Sequence, residues 1–202
     1  YASTSDLFGQ QGGLMQGYMI PRSNQKLDDY TQVSYGSGVI ISQDGLIITN
    51  NHVISSGSKV SVTLSDGTQY EAKILGQDES SDLAVLKIEA TNLKAVSIGS
   101  SKDLQVGQSV VAIGNPLSEE FSQTVTNGII SGVNRKLKAD NQSFSLIQTN
   151  AAINSGNSGG ALVDSNGKLI GINTAKISAE GVEGIGFAIP IDEAMTIVQE
   201  LV

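Results

Sequence analysis

The chain contains three hairpin signals, each placed between short apolar runs: Asp44-Gly45, Asp66-Gly67 and Asn166-Gly167. Asp-Gly and Asn-Gly adopt positive φ angles at low cost, as a tight hairpin turn requires. The flanking runs, such as GVIIS and LIITN around the first signal, have the length and the β-branched content of strands. These signals predict antiparallel strands joined by tight turns.

Similar runs continue along most of the chain. They are KVSVTL, QYEAKIL, DLAVLKI, SVVAIG, TVTNGIISGV, FSLIQT, GALVD, KLIGINT and GIGFAI. Many short strands at close spacing predict an all-β fold of antiparallel barrels or a sandwich. We interpret residues 35–98 and 109–190 as two β lobes and residues 99–108 as the connector between them.

The two ends of the chain have other patterns. Residues 191–202 place Ile191, Met195, Val198 and then Leu201 or Val202 at helical spacing, which predicts a C-terminal helix with Asp192 as its N-cap. Residues 1–34 are rich in Gly, Gln, Ser and Met without a steady period, which is typical of a flexible arm or long loop. The apolar side chains of this arm pack either on its own domain or on another subunit.

Charge and composition exclude several classes of protein. The net charge of −8 argues against nucleic acid or an anionic membrane as a partner. The absence of cysteine excludes disulfides, thiolate metal sites and cysteine nucleophiles. No apolar run reaches the length of a membrane span, so any anchor or signal lies outside this sequence.

Three residues are candidates for chemistry, and each also has a simpler interpretation. His52 is the only histidine and follows a strand, but a lone histidine is often structural. Asp82 precedes the apolar run LAVL, where it is either a turn cap or a buried acceptor; its rivals Asp78 and Glu79 look solvated. Ser158 lies in GNSGG, which is either a glycine-rich turn or a segment whose N–H groups converge on one point.

Taken together, the three residues favour catalysis. Acyl transfer by serine needs a nucleophile, a general base within hydrogen-bond reach and a carboxylate that fixes the tautomer of the base. The order is His52, Asp82, Ser158, with the first two in the first lobe and the serine in the second. A cleft between the lobes would bring them together.

Five long motifs carry a resemblance to a known family. TNNHVI, SDLAVLKI, TVTNGIISGVNR, IQTNAAINSGNSGGALV and GIGFAIP resemble the HtrA (Deg) family of trypsin-like serine proteases, from about Tyr35 to the end of the chain. The resemblance implies an all-β fold of two six-stranded antiparallel β-barrels of the chymotrypsin type, with a C-terminal helix. The first of these strands is not evident in the sequence.

The resemblance also implies roles for individual residues. Ser158 would be the nucleophile, His52 the general base and Asp82 its orienting acceptor. The N–H groups of Gly156, Asn157 and Ser158 would form the oxyanion hole. The strand from Ile172 to Lys176 would pair with the substrate backbone, through Asn173, Thr174, Ala175 and Lys176 beside Ile172. The walls of the specificity pocket would be Ile185, Gly186 and Phe187.

Three positions depart from the family pattern. Asn150 stands where the family usually has aspartate, and Ser155 stands where proline, glutamine or arginine is commoner, both close to the oxyanion hole. Lys176 replaces an apolar residue near the specificity pocket. If it points inward, acidic substrate side chains could be accepted; if it points outward, the family preference for small aliphatic residues should hold, and the cost of burying an unpaired lysine favours outward.

The leading hypothesis is an ATP-independent serine endopeptidase that cleaves unfolded or damaged proteins outside the cytoplasm, at the bacterial cell surface or in the periplasm. It needs no metal and no cofactor, and its rate should fall below roughly pH 6 to 7 as the imidazole is protonated. The alternatives are a holdase chaperone that uses the same cleft with little proteolysis, and a module that assembles a cage or trimer. The resemblance implies a homotrimer, unfolded polypeptides as partners, regulatory loops at 115–123 and 178–184, and PDZ domains downstream.

Overall fold

A computed structural model describes residues 34–115, 124–139, 142–175 and 184–202 of the chain. The arm predicted at 1–34 lies outside the described residues except for its last position, as do Lys176 and most of the two loops assigned to regulation. All described residues belong to one compact unit.

The first lobe is an antiparallel sheet of five strands in the order β1-β2-β5-β4-β3. The strands are β1 (Val39–Ile40), β2 (Leu46–Asn50), β3 (Val60–Thr63), β4 (Gln69–Asp78) and β5 (Leu83–Lys87), and helix α1 (Asn51–Ile54) follows β2 directly. The predicted hairpin turns form as expected, because Gly45 (φ 100°) and Gly67 (φ 83°) adopt the left-handed conformation. The described residues thus supply five of the six strands expected in this lobe.

The second lobe is a closed six-stranded barrel in the order β10-β11-β8-β7-β6-β9. Its strands are β6 (Ser109–Gly114), β7 (Thr124–Ala139), β8 (Gln142–Thr149), β9 (Ala161–Asp164), β10 (Leu169–Thr174) and β11 (Gly186–Pro190). One apolar cluster has members on all six strands, so it fills the barrel interior; it includes Val110, Ile130, Ile147, Leu162, Ile170 and Ala188. The predicted all-β fold with its C-terminal helix is confirmed.

A second cluster joins the lobes, and we call it the interlobe core. It combines Ile48, Leu83 and Val85 of the first sheet with side chains on the outer face of the barrel and with helix α2 (Ile191–Leu201). The opposite face of β5 places Ala84 and Leu86 in a third cluster, inside the first lobe. Strand β5 is therefore buried on both faces, which explains why its sequence is an unbroken apolar run.

Helix α2 forms where the sequence predicts it and buries Ile191, Ala194 and Val198. The prediction of Asp192 as N-cap is wrong, because the N-cap is Pro190 and Asp192 lies in the first turn. The Asp192 carboxylate instead accepts hydrogen bonds from the Ser101 N–H, the Ser101 hydroxyl and, at 3.1 Å, the Ser100 hydroxyl. In return the Asp192 N–H donates to Ser101 Oγ at 3.1 Å. These bonds fasten the helix to the interlobe connector.

The same bonds make this contact sensitive to pH. The hydrogen bond from the Ser101 N–H, aided by the two hydroxyls and by Lys102, outweighs the effect of burial and lowers the pKa of Asp192. A carboxyl with a lowered folded-state pKa stabilises the fold above its unfolded pKa of about 4, and this contribution is lost as the pH falls through the folded-state pKa.

We predict that Asp192→Ala lowers the free energy of unfolding by about 1 kcal/mol at pH 7. The difference from wild type should shrink as the pH falls from about 4 through the lowered folded-state pKa, because the wild-type carboxylate is then protonated. Urea denaturation at several pH values measures both effects. Asp103→Ala, an exposed aspartate on the same connector, is the matched control and should have no such effect. A difference that stays constant down to pH 2 would contradict the assignment.

Candidate active site

His52 and Asp82 form a close side-chain pair. His52 lies in α1, and its Nδ1 is 2.8 Å from Asp82 Oδ2 and 3.0 Å from Oδ1. The main-chain N–H of His52 also donates to Oδ1, at 3.0 Å. The imidazole is therefore held at two points by one carboxylate, which fixes both the position and the plane of the ring.

Asp82 reaches His52 because its own backbone is in the left-handed conformation, with φ 58°. Aspartate is one of the few residues that tolerate this region. The Asp82 carbonyl oxygen is held by the N–H of Asn51 at 3.0 Å and by the side-chain amide of Asn50 at 2.9 Å. Of its two sequence interpretations, the buried acceptor is therefore the one that the structure adopts. Its rival Asp78 caps a turn by accepting from Ser80 and Ser81.

The pairing sets the chemistry of the ring. The Asp82 side chain is only 2% exposed, so its carboxylate needs donors, and Nδ1–H is the donor that the ring supplies. Nε2 is then left as the acceptor. Thr174 Oγ1, 3.4 Å from Asp82 Oδ2, brings strand β10 to the same carboxylate. A neutral imidazole held in this way can accept a proton at Nε2.

Two consecutive turns surround Ser158. The N–H of Asn157 donates to Asn154 O at 3.0 Å, and the N–H of Gly160 donates to Asn157 O at 2.9 Å. In each turn the third residue is a glycine with positive φ, Gly156 at 95° and Gly159 at 84°, while the residue before it has no positive φ. This combination defines type II turns.

The turns decide which N–H groups can face a ligand. Asn157 N–H and Gly159 N–H donate to Asn154 O and Asn173 O. Among the described residues, no acceptor bonds the N–H of Gly156 or of Ser158. Of the three donors expected for the oxyanion hole, two remain, the N–H groups of Gly156 and Ser158. The expectation for Asn157 is wrong, because its N–H closes a turn.

Ser158 is 3% exposed, and its Oγ accepts a hydrogen bond from Ala175 N–H at 3.0 Å. Within the described part of the chain, no hydrogen bond joins Ser158 Oγ to the His52 ring. Catalytic hydrogen bonds are often long before substrate binds and shorten in the complex. The accepting role at Oγ leaves the Ser158 proton available for Nε2.

Comparisons with known proteins agree with this geometry. A family model described as a trypsin-like peptidase domain matches residues 36–172. Serine protease Do-like HtrA of Bacillus subtilis (strain 168) is 44% identical over 98% of this chain and 43% of its own length. This chain belongs to the HtrA family of trypsin-like serine peptidases.

Two further HtrA-type relatives illustrate the likeness. A probable periplasmic serine protease do/HhoA-like of Haemophilus influenzae is 49% identical over 82% of this chain and 36% of its own length. A solved structure of the HtrA-type protease AlgW with a decapeptide superposes with a TM-score of 0.76 at 47% identity, covering 82% of this chain and 51% of that one. The chain thus spans about two fifths of the length of the curated relatives it matches.

The residues expected to pair with substrate do not form a continuous free edge in this HtrA-family chain. Ile172 is paired on both sides, with Ile189 of β11 and Ala161 of β9. Asn173 is fully buried, and its N–H and C=O are bonded to Gly160 O and to the N–H of Gly159. Barrel closure therefore removes Asn173 from the expected set, and any edge that pairs with substrate begins beyond it.

The expected pocket walls also differ in part. Ile185 is 45% exposed, and Gly186 lies against Ile153, where a Cβ would meet the isoleucine side chain at 2.6 Å. Both remain available to a pocket. Phe187 is 7% exposed and belongs to the interlobe core, so its side chain is structural.

Asn150 has a structural task away from the oxyanion turn. Its Oδ1 accepts the N–H of Ile129 at 2.8 Å, which joins the end of β8 to β7. An aspartate oxygen could accept the same bond, so the departure from the family pattern preserves this contact. Ser155 is exposed and occupies the second position of the first turn.

Ser37 is a site residue that the sequence reasoning missed. It donates its N–H to Ser158 O at 2.8 Å and its hydroxyl to Gly156 O at 2.6 Å. Only the small residues around it, in GSG, hint at close backbone approach, and that signal is too common to select a site.

No group of three or more His, Asp or Glu side chains in the described ranges could hold a metal ion. Neither described helix is long and apolar enough to cross a bilayer.

We predict that Gly159→Ala disrupts the nucleophile turn. A Cβ at this position would overlap the Ser37 carbonyl oxygen and the Thr49 hydroxyl, and it would also strain a backbone of positive φ. The free energy of unfolding should fall by about 3 kcal/mol or more, and labelling of Ser158 by a serine-directed reagent should be lost.

Gly167→Ala is the matched control, because its φ is also positive (74°) but no atom lies within 4 Å of the added Cβ. It should cost only the backbone strain, about 1 kcal/mol, and labelling should persist. Equal effects of the two variants would show that the packing around Ser158 does not matter.

Proposed function

We propose that this chain is the protease domain of an ATP-independent serine endopeptidase that degrades unfolded or damaged proteins outside the cytoplasm. The observation that carries the proposal is the buried Asp82 carboxylate bound to His52 Nδ1, in the same molecule as Ser158, whose own N–H and that of Gly156 have no acceptor among the described residues. An imidazole fixed in this way is a base, and the two N–H groups can stabilise an anion.

The proposed reaction follows the general serine-protease scheme. Ser158 Oγ attacks the scissile carbonyl carbon while His52 Nε2 takes the hydroxyl proton. Negative charge develops on the carbonyl oxygen and is stabilised by the N–H groups of Gly156 and Ser158. The intermediate collapses to an acyl-enzyme as His52 returns the proton to the leaving amine. Water then attacks the acyl carbon while His52 Nε2 takes its proton. His52 returns this proton to Ser158 Oγ as the acyl–oxygen bond breaks, which releases the new carboxylic acid terminus of the peptide.

Asp82 acts throughout as an acceptor. It keeps Nδ1 protonated and stabilises the imidazolium that forms in each step, without itself taking the proton. Thr174 supports the carboxylate from the second lobe. All steps use groups of this chain, the peptide and water, so the proposal requires neither metal nor nucleotide.

The proposed substrate is an extended polypeptide. Strand β10 ends at Thr174, which pairs with Phe187 of β11, and the next residue, Ala175, donates its N–H to Ser158 Oγ. We propose that the substrate backbone pairs with Thr174, Ala175 and Lys176, the last of which lies outside the described residues. A folded protein cannot offer a free strand, so this mode selects unfolded chains. Ile185 and Gly186 would wall the specificity pocket, which suits a small aliphatic side chain.

The proposal extends to location, assembly and the bounds of the two lobes. Relatives with the word periplasmic in their names support a location outside the cytoplasm. Assembly as a homotrimer, PDZ domains further along the full protein, and the division into lobes at 35–98 and 109–190 with a connector at 99–108 are parts of the same proposal.

We predict that Ser158→Ala abolishes both cleavage of an unfolded casein-type substrate and labelling by an active-site serine reagent, with a loss in kcat of about 10⁴-fold or more. The fold should persist, because the alanine removes only the hydroxyl. Gel electrophoresis and mass spectrometry of the labelled chain give the two readouts. Ser109→Ala, on an exposed serine of β6, is the control and should keep both activities.

Cleavage by Ser158→Ala would contradict the proposal. Absence of cleavage by wild type, with equal suppression of aggregation by both chains, would favour the holdase alternative.

A further inference from the structure

Ser37 uses all of its polar groups to connect the two lobes at the site. Its hydroxyl donates to Gly156 O at 2.6 Å and accepts the N–H of Asn115 at 2.8 Å. Its N–H donates to Ser158 O at 2.8 Å, and its carbonyl accepts the Thr49 hydroxyl at 2.6 Å. Three separate segments of the chain therefore meet at one half-buried serine.

The partners of Ser37 belong to both lobes. Thr49 is in β2, the strand that runs directly into α1 and His52. Gly156 and Ser158 belong to the turns that hold the nucleophile and the two unbonded N–H groups. Ser37 thus fastens the nucleophile segment to the strand that precedes the base.

The hydroxyl acts on a peptide group that matters for the oxyanion donors. Gly156 O and Asn157 N–H belong to the same peptide, and Ser37 Oγ and Asn154 O hold its two ends. The peptide between Ser158 and Gly159 is held in the same way, by the Ser37 N–H and by Asn173 O. The peptide between Asn157 and Ser158, which presents the N–H of Ser158, lies between these two fixed peptides. The peptide that presents the N–H of Gly156 lies directly before them.

We propose that Ser37 is a positioning residue, whose hydroxyl sets the placement of the Gly156 and Ser158 N–H groups and of Ser158 Oγ relative to His52. This role rests on the proposed function. In the part of the chain that the structure describes, no hydrogen bond joins Ser37 to the His52 ring or to the Ser158 hydroxyl, so it acts through the turn. A misplacement of about 1 Å at reacting atoms can cost on the order of a hundredfold in rate.

The experiment compares Ser37→Ala with Ser42→Ala. The Ser42 hydroxyl also makes two hydrogen bonds, to Asp44 and to the N–H of Leu46, but both lie in the β1–β2 turn. With an extended peptide substrate, Ser37→Ala should lower kcat by about ten- to a hundredfold and change KM by less than about threefold, because ground-state contacts are retained. Ser42→Ala should leave both constants near wild type.

A peptide aldehyde provides a readout that a loss of stability alone would not change. Its adduct with Ser158 places an oxyanion between the two N–H groups, so its inhibition constant should rise by the factor by which kcat falls. In a Ser158→Ala background, Ser37→Ala should not change the affinity for an uncleaved peptide. Ser37→Thr retains the hydroxyl and should restore most of kcat.

Wild-type kcat in Ser37→Ala, or a raised KM with unchanged kcat, overturns the proposal. If Ser37→Ala melts below the assay temperature, Ser37→Cys replaces it, since the thiol is a weaker donor of similar size; kcat equal to wild type then overturns the role. Cleavage that survives Ser158→Ala refutes the proposed function itself, whereas a failure confined to the Ser37 variants leaves the proposed function standing.

Discussion

The site depends on one buried carboxylate. Asp82 is almost fully buried, and an isolated charge in such a place would cost several kcal/mol. Three groups offset this cost, namely the main-chain N–H and the ring of His52 and the hydroxyl of Thr174. The carboxylate therefore holds helix α1, the start of β5 and the end of β10 next to one another. The same contacts fix the tautomer that makes His52 a base, so stability and chemistry share one interaction.

Two further features keep the lobes in register around that point. The interlobe core packs one face of β5 and seats α2 across the junction, the third cluster packs the other face, and Asp192 fastens α2 to the connector. Apolar packing of this kind is nondirectional and cannot by itself orient a peptide group. Directional bonds do that, and between the two lobes they converge on Ser37. The core thus holds the lobes together, and the hydrogen bonds align them.

The predictions that succeeded depended on local conformation. The hairpins at Gly45, Gly67 and Gly167 required only that glycine accept positive φ, which any sequence context allows. The predictions for Asp192, Asn157, Asn173 and Phe187 failed in part because each residue has a partner that the sequence does not show. The Asp192 carboxylate accepts a hydrogen bond from Ser101 on the connector, and the N–H of Asn157 closes a turn. Barrel closure used both sides of Asn173, and Phe187 was needed in the core.

The sequence by itself determined the strands and the turns, because turn preferences and apolar periods act over a few residues. It also shows directly the serine flanked by glycines and the order of His52, Asp82 and Ser158. Local sequence left Asp78 and Asp82 open and the resemblance predicted Asp82; the tertiary structure shows that Asp82 binds the imidazole, across 30 residues of chain. It also decided that Ser37 meets Gly156 across 119 residues, and that two N–H groups remain unbonded beside Ser158 in the described chain. A hydrogen bond between distant segments depends on where packing places both ends, and no local preference encodes that distance.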